Sequence, residues 1–214
     1  MALASLPLEC ACGAVHWVAR EVSGDRGNHV VCYCDDCQAF AYALGSAERV
    51  LDANGGSEIF QISPARIEFR TGSEKLACLR LRPNGLLRWY TSCCRTPVGN
   101  TLAARQVPFV GLVLRRAAGE PERRARDAAL GPVRGAFNAQ FAVGDRSRLV
   151  AYPRVPVALF ARLFRIMAGA RLRGEHARSP FFAASGEPVA SPHVLTDDEL
   201  AAARAPLALT TAPG

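Results

Sequence analysis

Seven of the chain's eight cysteines fall into three tight groups: Cys10 and Cys12 as C-x-C, Cys32, Cys34 and Cys37 as C-x-C-x-x-C, and the adjacent Cys93 and Cys94. Only Cys78 stands alone. Cysteines one or two residues apart rarely reach the Cα separation and dihedral of an unstrained disulfide. On a turn, however, they offer two sulfurs to one ion at little added ordering cost, and zinc takes thiolates at about 2.3 Å in a tetrahedron. Joining the first group to the last gives up to four thiolates, which is a closed structural site. The middle group supplies three, and two readings follow. Either the fourth position is open to water or substrate, or a distant ligand such as His29 or His16 closes a second folding site.

At 214 residues the chain is long enough to bury a sizeable core, so its cysteines are not needed to compensate for a small one. The first twenty residues lack a basic start followed by a long apolar run, so no signal peptide is read. No uncharged apolar stretch of roughly eighteen residues follows either. The expected compartment is the reducing cytoplasm, where clustered cysteines mean metal or catalysis rather than disulfides. A formal net charge of +7, carried almost wholly by arginine, favours anionic partners.

Short apolar runs punctuated by turn-forming pairs such as Asn54-Gly55 and Asn84-Gly85 predict a mainly β, antiparallel domain. Strands are expected at 8–18, with a tight turn at its start near Gly13, and at 30–33, 57–62, 66–70, 76–81, 86–90 and 107–114. The charged stretch 115–126 reads as an exposed loop or a short solvated helix. After Pro153, Val157, Phe160, Leu163, Phe164 and Met167 recur at helical spacing among arginines, which predicts an amphipathic helix packed on its own domain. The proline-rich remainder is read as a loop-rich tail with one short helix, its capping box formed by Thr196 and Glu199. The division expected is a zinc-binding β domain over 1–152 and a C-terminal helix and tail over 153–214 packed on it.

The order Cys10-Ala11-Cys12-Gly13-Ala14-Val15, Cys32-Tyr33-Cys34-Asp35-Asp36-Cys37-Gln38 and Cys94-Arg95-Thr96-Pro97-Val98 resembles the glutathione-dependent formaldehyde-activating enzyme family, which includes the centromere-protein-V-like proteins. The matching motifs span about residues 8–114, roughly half the chain. The resemblance implies an Mss4-like zinc-binding β fold, with Cys10, Cys12 and Cys94 as structural ligands and Cys32, Cys34 and Cys37 as the active centre. It further implies a carbon-sulfur lyase that joins formaldehyde to glutathione. This chain departs from the family's usual C-x-x-C-G at its last group: Thr91 stands at the first cysteine, Cys93 precedes Cys94, and Arg95 replaces the glycine. Cys93 then becomes the candidate fourth ligand, provided the backbone turns sharply. Tyr33 also replaces a frequent histidine.

Three thiolates on a divalent ion make a weak Lewis acid toward water and suit a soft thiolate, so the expected substrate is a small anionic thiol, glutathione or its adduct. Arg95 or Arg80 is the expected counter-charge. Cys78, set among leucines, reads as an inert buried thiol, and Asp35 and Asp36 as solvated turn residues or as groups orienting the ligands. The alternative function is a non-catalytic, zinc-stabilised binding module for an anionic partner. No nucleic-acid partner is expected, because no Lys/Arg tract with interleaved aromatics occurs, and no membrane partner is expected.

Overall fold

A computed structural model describes residues 3–210 of the chain. The chain opens with an antiparallel hairpin, β1 (Ala4–Glu9) and β2 (His16–Val22). Residues 10–15 form its turn, with Gly13 at φ 72°. The single strand expected over 8–18 is therefore two strands, broken where the first cysteines need a tight corner. Next come β3 (Asn28–Cys32), helix α1 (Asp35–Ala43), the one-turn α2 (Ala47–Val50) and β4 (Ser57–Ile62). Strands β5 (Ile67–Thr71), β6 (Leu76–Arg80), β7 (Leu87–Thr91), β8 (Pro97–Thr101) and β9 (Val110–Val113) complete the main β region. Helix α3 (Glu120–Leu130), the short β10 (Ala136–Phe137), α4 (Val157–Leu172), the short β11 (His193–Val194) and α5 (Asp197–Thr210) follow.

The described strands form two sheets. One is three-stranded, ordered β1-β2-β5; the other is eight-stranded, ordered β10-β3-β4-β9-β8-β7-β6-β11. Neighbours pair antiparallel except at the two ends of the larger sheet, where β10 runs parallel to β3 and β11 to β6. The class is mainly β, as expected.

Alternation along the strands decides which layer each side chain joins. Phe60, Ile62, Leu87, Trp89 and Leu112 point into a core shared with Trp17, Ala19 and Ile67 of the smaller sheet. Their neighbours Leu79, Tyr90 and Val113 point the other way, onto a second core with Phe40 of α1, Leu44 just after it, and Leu200 and Ala203 of α5. The larger sheet is thus covered on both faces, which is why all five residues of β8 are buried. Phe181 and Phe182, far along the tail, fill the first core, with the Phe181 ring 5.2 Å from that of Trp89. Thr196 and Glu199 form the expected capping box at α5: the Thr196 N–H donates to Glu199 Oε2 at 2.8 Å, and the Glu199 N–H to Thr196 Oγ1 at 3.2 Å. No described helix is long and apolar enough to cross a membrane.

One buried polar network ties the far end of the larger sheet to α3. The ring of His29, fully buried on β3, lies 2.7 Å from the Gly131 carbonyl and 2.8 Å from Glu58 on β4, and Arg126 of α3 meets Glu58 at 2.8 Å. Burial opposes ionisation of Glu58, but the His29 hydrogen bond and the Arg126 charge outweigh it and hold the carboxyl below its ordinary range. This carboxylate therefore contributes stability above its unfolded value of about 4.3, and the contribution is lost as pH falls through the lower folded value. Glu58→Gln should cost about 2 kcal/mol in urea unfolding at pH 7, and the gap from the parent should close in acid below pH ~4.

Candidate metal centres

The β1–β2 turn and the β7–β8 turn meet at one end of the molecule and bring Cys10, Cys12, Cys93 and Cys94 together, all four sulfurs lying within 4.8 Å of one another. The Cys10–Cys12 separation is 3.5 Å, Cys12–Cys93 3.5 Å, Cys10–Cys93 3.8 Å and Cys93–Cys94 3.9 Å. A tetrahedron with metal–sulfur bonds of about 2.3 Å has edges of about 3.8 Å, so the donor set fits a four-thiolate ion. All eight cysteines are free thiols.

The local sequence explains how adjacent residues reach one centre. Arg95 takes a left-handed backbone at φ 55°, and its N–H returns to the Thr91 carbonyl at 2.8 Å, closing the sharp turn that two neighbouring thiolates require. Arg95 holds this left-handed conformation without the freedom a glycine would have there. Thr91 stands buried behind the cluster with Oγ1 3.5 Å from Cys94 Sγ, and Thr96 Oγ1 lies 3.1 Å from the same sulfur. Burial works against ionising Cys94, but these two hydroxyls prevail and bring its thiol down to about 5. Thr96 also accepts from the Ala11 N–H at 3.0 Å, joining the two turns, and the Val15 N–H donates to Cys10 Sγ at 3.3 Å.

The second group sits where β3 runs into α1. Cys32 ends the strand, Cys34 is the helix N-cap and accepts from the Cys37 N–H at 3.4 Å, and Cys37 lies in the first turn. Their three sulfurs lie within 4.8 Å of one another, and among the described residues no histidine, carboxylate or further cysteine joins them. A helix N-terminus favours negative charge at this group. Hydrogen bonds from Cys32 and Cys34 draw the Cys37 thiol well below its usual range, and the Arg88 guanidinium adds to this against the cost of burial. Asn138, itself left-handed at φ 63°, donates its amide to Cys32 Sγ at 3.5 Å.

The structure gathers all seven cysteines named from the sequence and redirects several companions. Arg88, not Arg95 or Arg80, is the cation at the three-cysteine group: it is buried, bonds Asn100 Oδ1 at 3.2 Å and lies 5.3 Å over the Phe40 ring. Arg95 instead donates to the Ala43 carbonyl at the end of α1, and Arg80 to the Pro83 carbonyl. His29 is committed to Glu58 and Gly131, and His16 stands half-exposed beside Glu9 at 3.7 Å, so neither closes the middle group. Tyr33 turns its hydroxyl to Asp52 at 2.9 Å. Asp35 and Asp36 open α1 rather than a loop, and Arg204 of α5 reaches both, at 3.1 and 2.8 Å. Cys78 is buried in the core, its thiol pushed up to about 12 by burial. The hint of Arg88 in the sequence was a lone charge between Leu87 and Trp89 in an apolar strand.

Two outcomes follow. In the native protein Cys78 should resist iodoacetamide and react only on unfolding, which peptide mass mapping will read. Arg95→Gly should change stability by no more than about 1 kcal/mol, whereas Arg95→Val should cost at least about 1–2 kcal/mol by thermal unfolding, because a β-branched residue strains at positive φ.

None of the curated proteins compared with the chain matches it. The family of unknown function DUF6151 matches residues 3–192. That stretch takes in both cysteine groups and all the strands of both sheets except β11, and the chain belongs to the DUF6151 family.

Proposed function

We propose that the chain is a zinc protein with two unlike centres: a closed structural one at Cys10, Cys12, Cys93 and Cys94, and an open one at Cys32, Cys34 and Cys37 that receives the sulfur of a small anionic thiol or its adduct. In this reading the protein is a divergent, Mss4-like relative of the glutathione-dependent formaldehyde-activating enzymes and works as a carbon-sulfur lyase. The observation that carries the proposal is the contrast between the two groups. Four sulfurs complete one tetrahedron, while the other group has three and a buried arginine beside it.

Zinc held by three thiolates would supply a soft position for a fourth sulfur. The chain's own groups account for the rest. The Asn138 amide and the first turn of α1 fix Cys32, Cys34 and Cys37 and balance their charge. Arg88 offsets the surplus negative charge of three thiolates, and Arg82 and Arg204, gathered at Asp36 at 3.5 and 2.8 Å, offer cations to the carboxylates of a thiol such as glutathione. The reaction is addition of S–H across an aldehyde C=O, with a C–S bond forming and the thiol proton passing to oxygen, or its reverse. The reading places the protein in a reducing compartment, the cytoplasm.

The test is metal content per chain in the parent and in a Cys32→Ser, Cys34→Ser, Cys37→Ser variant, with glutathione titrated into each. Two zinc ions falling to one in a folded variant, with glutathione binding lost, is the expected result. A variant that retains all its metal, or a parent that never binds a thiol, overturns the open centre and leaves a zinc-stabilised binding module for an anionic partner.

A further inference from the structure

Helix α4 does not use its apolar residues as a surface helix ordinarily does. Of its sixteen residues only Leu159 and Ala170 are buried. Val157 is 83 % exposed, Phe160 and Phe164 60 % each and Leu172 89 %. Val157, Phe160 and Phe164 recur at i, i+3 and i+7, so they share one side of the helix. The segment leading into it adds Val150, Tyr152 and Val155, all exposed. An apolar surface this continuous marks an interaction site.

The charge around it narrows the occupant. From 146 to 174 the chain has seven arginines and no acidic residue, a charge equal to the net +7 of the whole sequence. Arg162 is turned inward onto the Gly24 and Gly27 carbonyls, and Arg173 pairs with Glu175 at 2.7 Å. Arg165 lines a groove with Arg162, Glu21, Asp25 and Glu175, whereas Arg146, Arg148 and Arg154 are exposed and none of these three has a carboxylate within ion-pair distance among the described residues. A second copy of the chain, docked through this face by a two-fold axis, would set arginine against arginine. A nucleic acid would satisfy the arginines and could stack on the aromatic rings, but it would leave the aliphatic Val150, Val155, Val157 and Leu172 in water. An anionic lipid surface satisfies both, because the apolar side chains enter the acyl boundary while the guanidinium groups remain among the headgroups.

We propose that α4 and residues 146–156 before it form a peripheral docking surface for anionic membranes. The protein lies on the bilayer through this face and does not span it. The sequence reading, with this helix packed on its own domain, gave no membrane contact; the unpacked apolar side is what changes the expectation.

The experiment is co-sedimentation of the full chain with vesicles of phosphatidylcholine alone or with about one third phosphatidylglycerol. The parent should bind the mixed vesicles at least ~10-fold more strongly than the neutral ones, and the binding should weaken in about 0.5 M salt. F160S/F164S should bind mixed vesicles at least ~10-fold more weakly while its circular dichroism and metal content match the parent's. R148Q/R154Q, which leaves the apolar face intact, should lose about fivefold per arginine. Absence of binding, or equal binding to both kinds of vesicle, overturns the proposal. So does a dimer in sedimentation velocity that F160S/F164S dissolves, which would assign the face to a second copy, or DNA binding that the phenylalanine changes leave untouched and the arginine changes abolish.

Discussion

Two sheets packed face to face hold their spacing through side chains that can slide, and at one end of this molecule the four-sulfur cluster is placed so that a bound metal ion would remove that freedom. Cys10 and Cys12 sit on the turn of the smaller sheet, and Cys93 and Cys94 on a turn of the larger one, so an ion bound among them fastens one layer to the other. Four thiols within 4.8 Å of one another cannot all ionise without a cation between them, because like charges at that distance repel strongly. The cluster is therefore compact only with protons shared among its sulfurs or with a metal bound. Everything that shapes it, from the Thr96 hydroxyl linking the two turns to the left-handed Arg95, serves to hold backbone corners rather than to bury area.

The three-cysteine group is built on different terms. It belongs to a strand end and a helix start, and negative charge on Cys37 is met by a helix N-terminus and by Arg88 reaching across from β7. Arg88 is placed by strand alternation: Leu87 and Trp89 face the inner core, so Arg88 faces α1. Asp36 then collects Arg82, Arg88 and Arg204 at 3.5, 3.9 and 2.8 Å. The charged rim and the C-terminal helix are thereby assembled around the first turn of α1.

Sequence spacing was enough to sort the seven cysteines into three tight groups, because ligands one or two residues apart must share a corner wherever the rest of the chain goes, whereas the meeting of the first group with the last rests on contacts 81 residues apart. The capping box at Thr196 was legible for the same reason, being a wholly local device. Helix α1 was not legible: its N-cap is a cysteine, and Cys34-Asp35-Asp36-Cys37 looks like a metal loop with no apolar period. Nor was β8, since Pro97, Gly99 and Asn100 are poor strand formers held in place by sheets and helices on both sides. The short parallel edges β10 and β11, and the Phe181 plug in the core, depend on contacts between residues far apart in sequence, which leave no local pattern.

Helix α1 touches both centres. Cys34 and Cys37 stand at its start, and the Ala43 carbonyl at its end accepts from Arg95, the residue after Cys94, while the Arg95 carbonyl accepts from Ser46 just beyond the helix. Its nine residues make a strut about 13 Å long between the two sets of sulfurs. A helix cannot be lengthened smoothly: one added residue moves its end by about 1.5 Å and also swings it through about 100°. An insertion or deletion in α1 would thus misalign one centre against the other in rotation as well as distance, so the spacing of the two sites is quantised by the helical turn and protected from gradual drift.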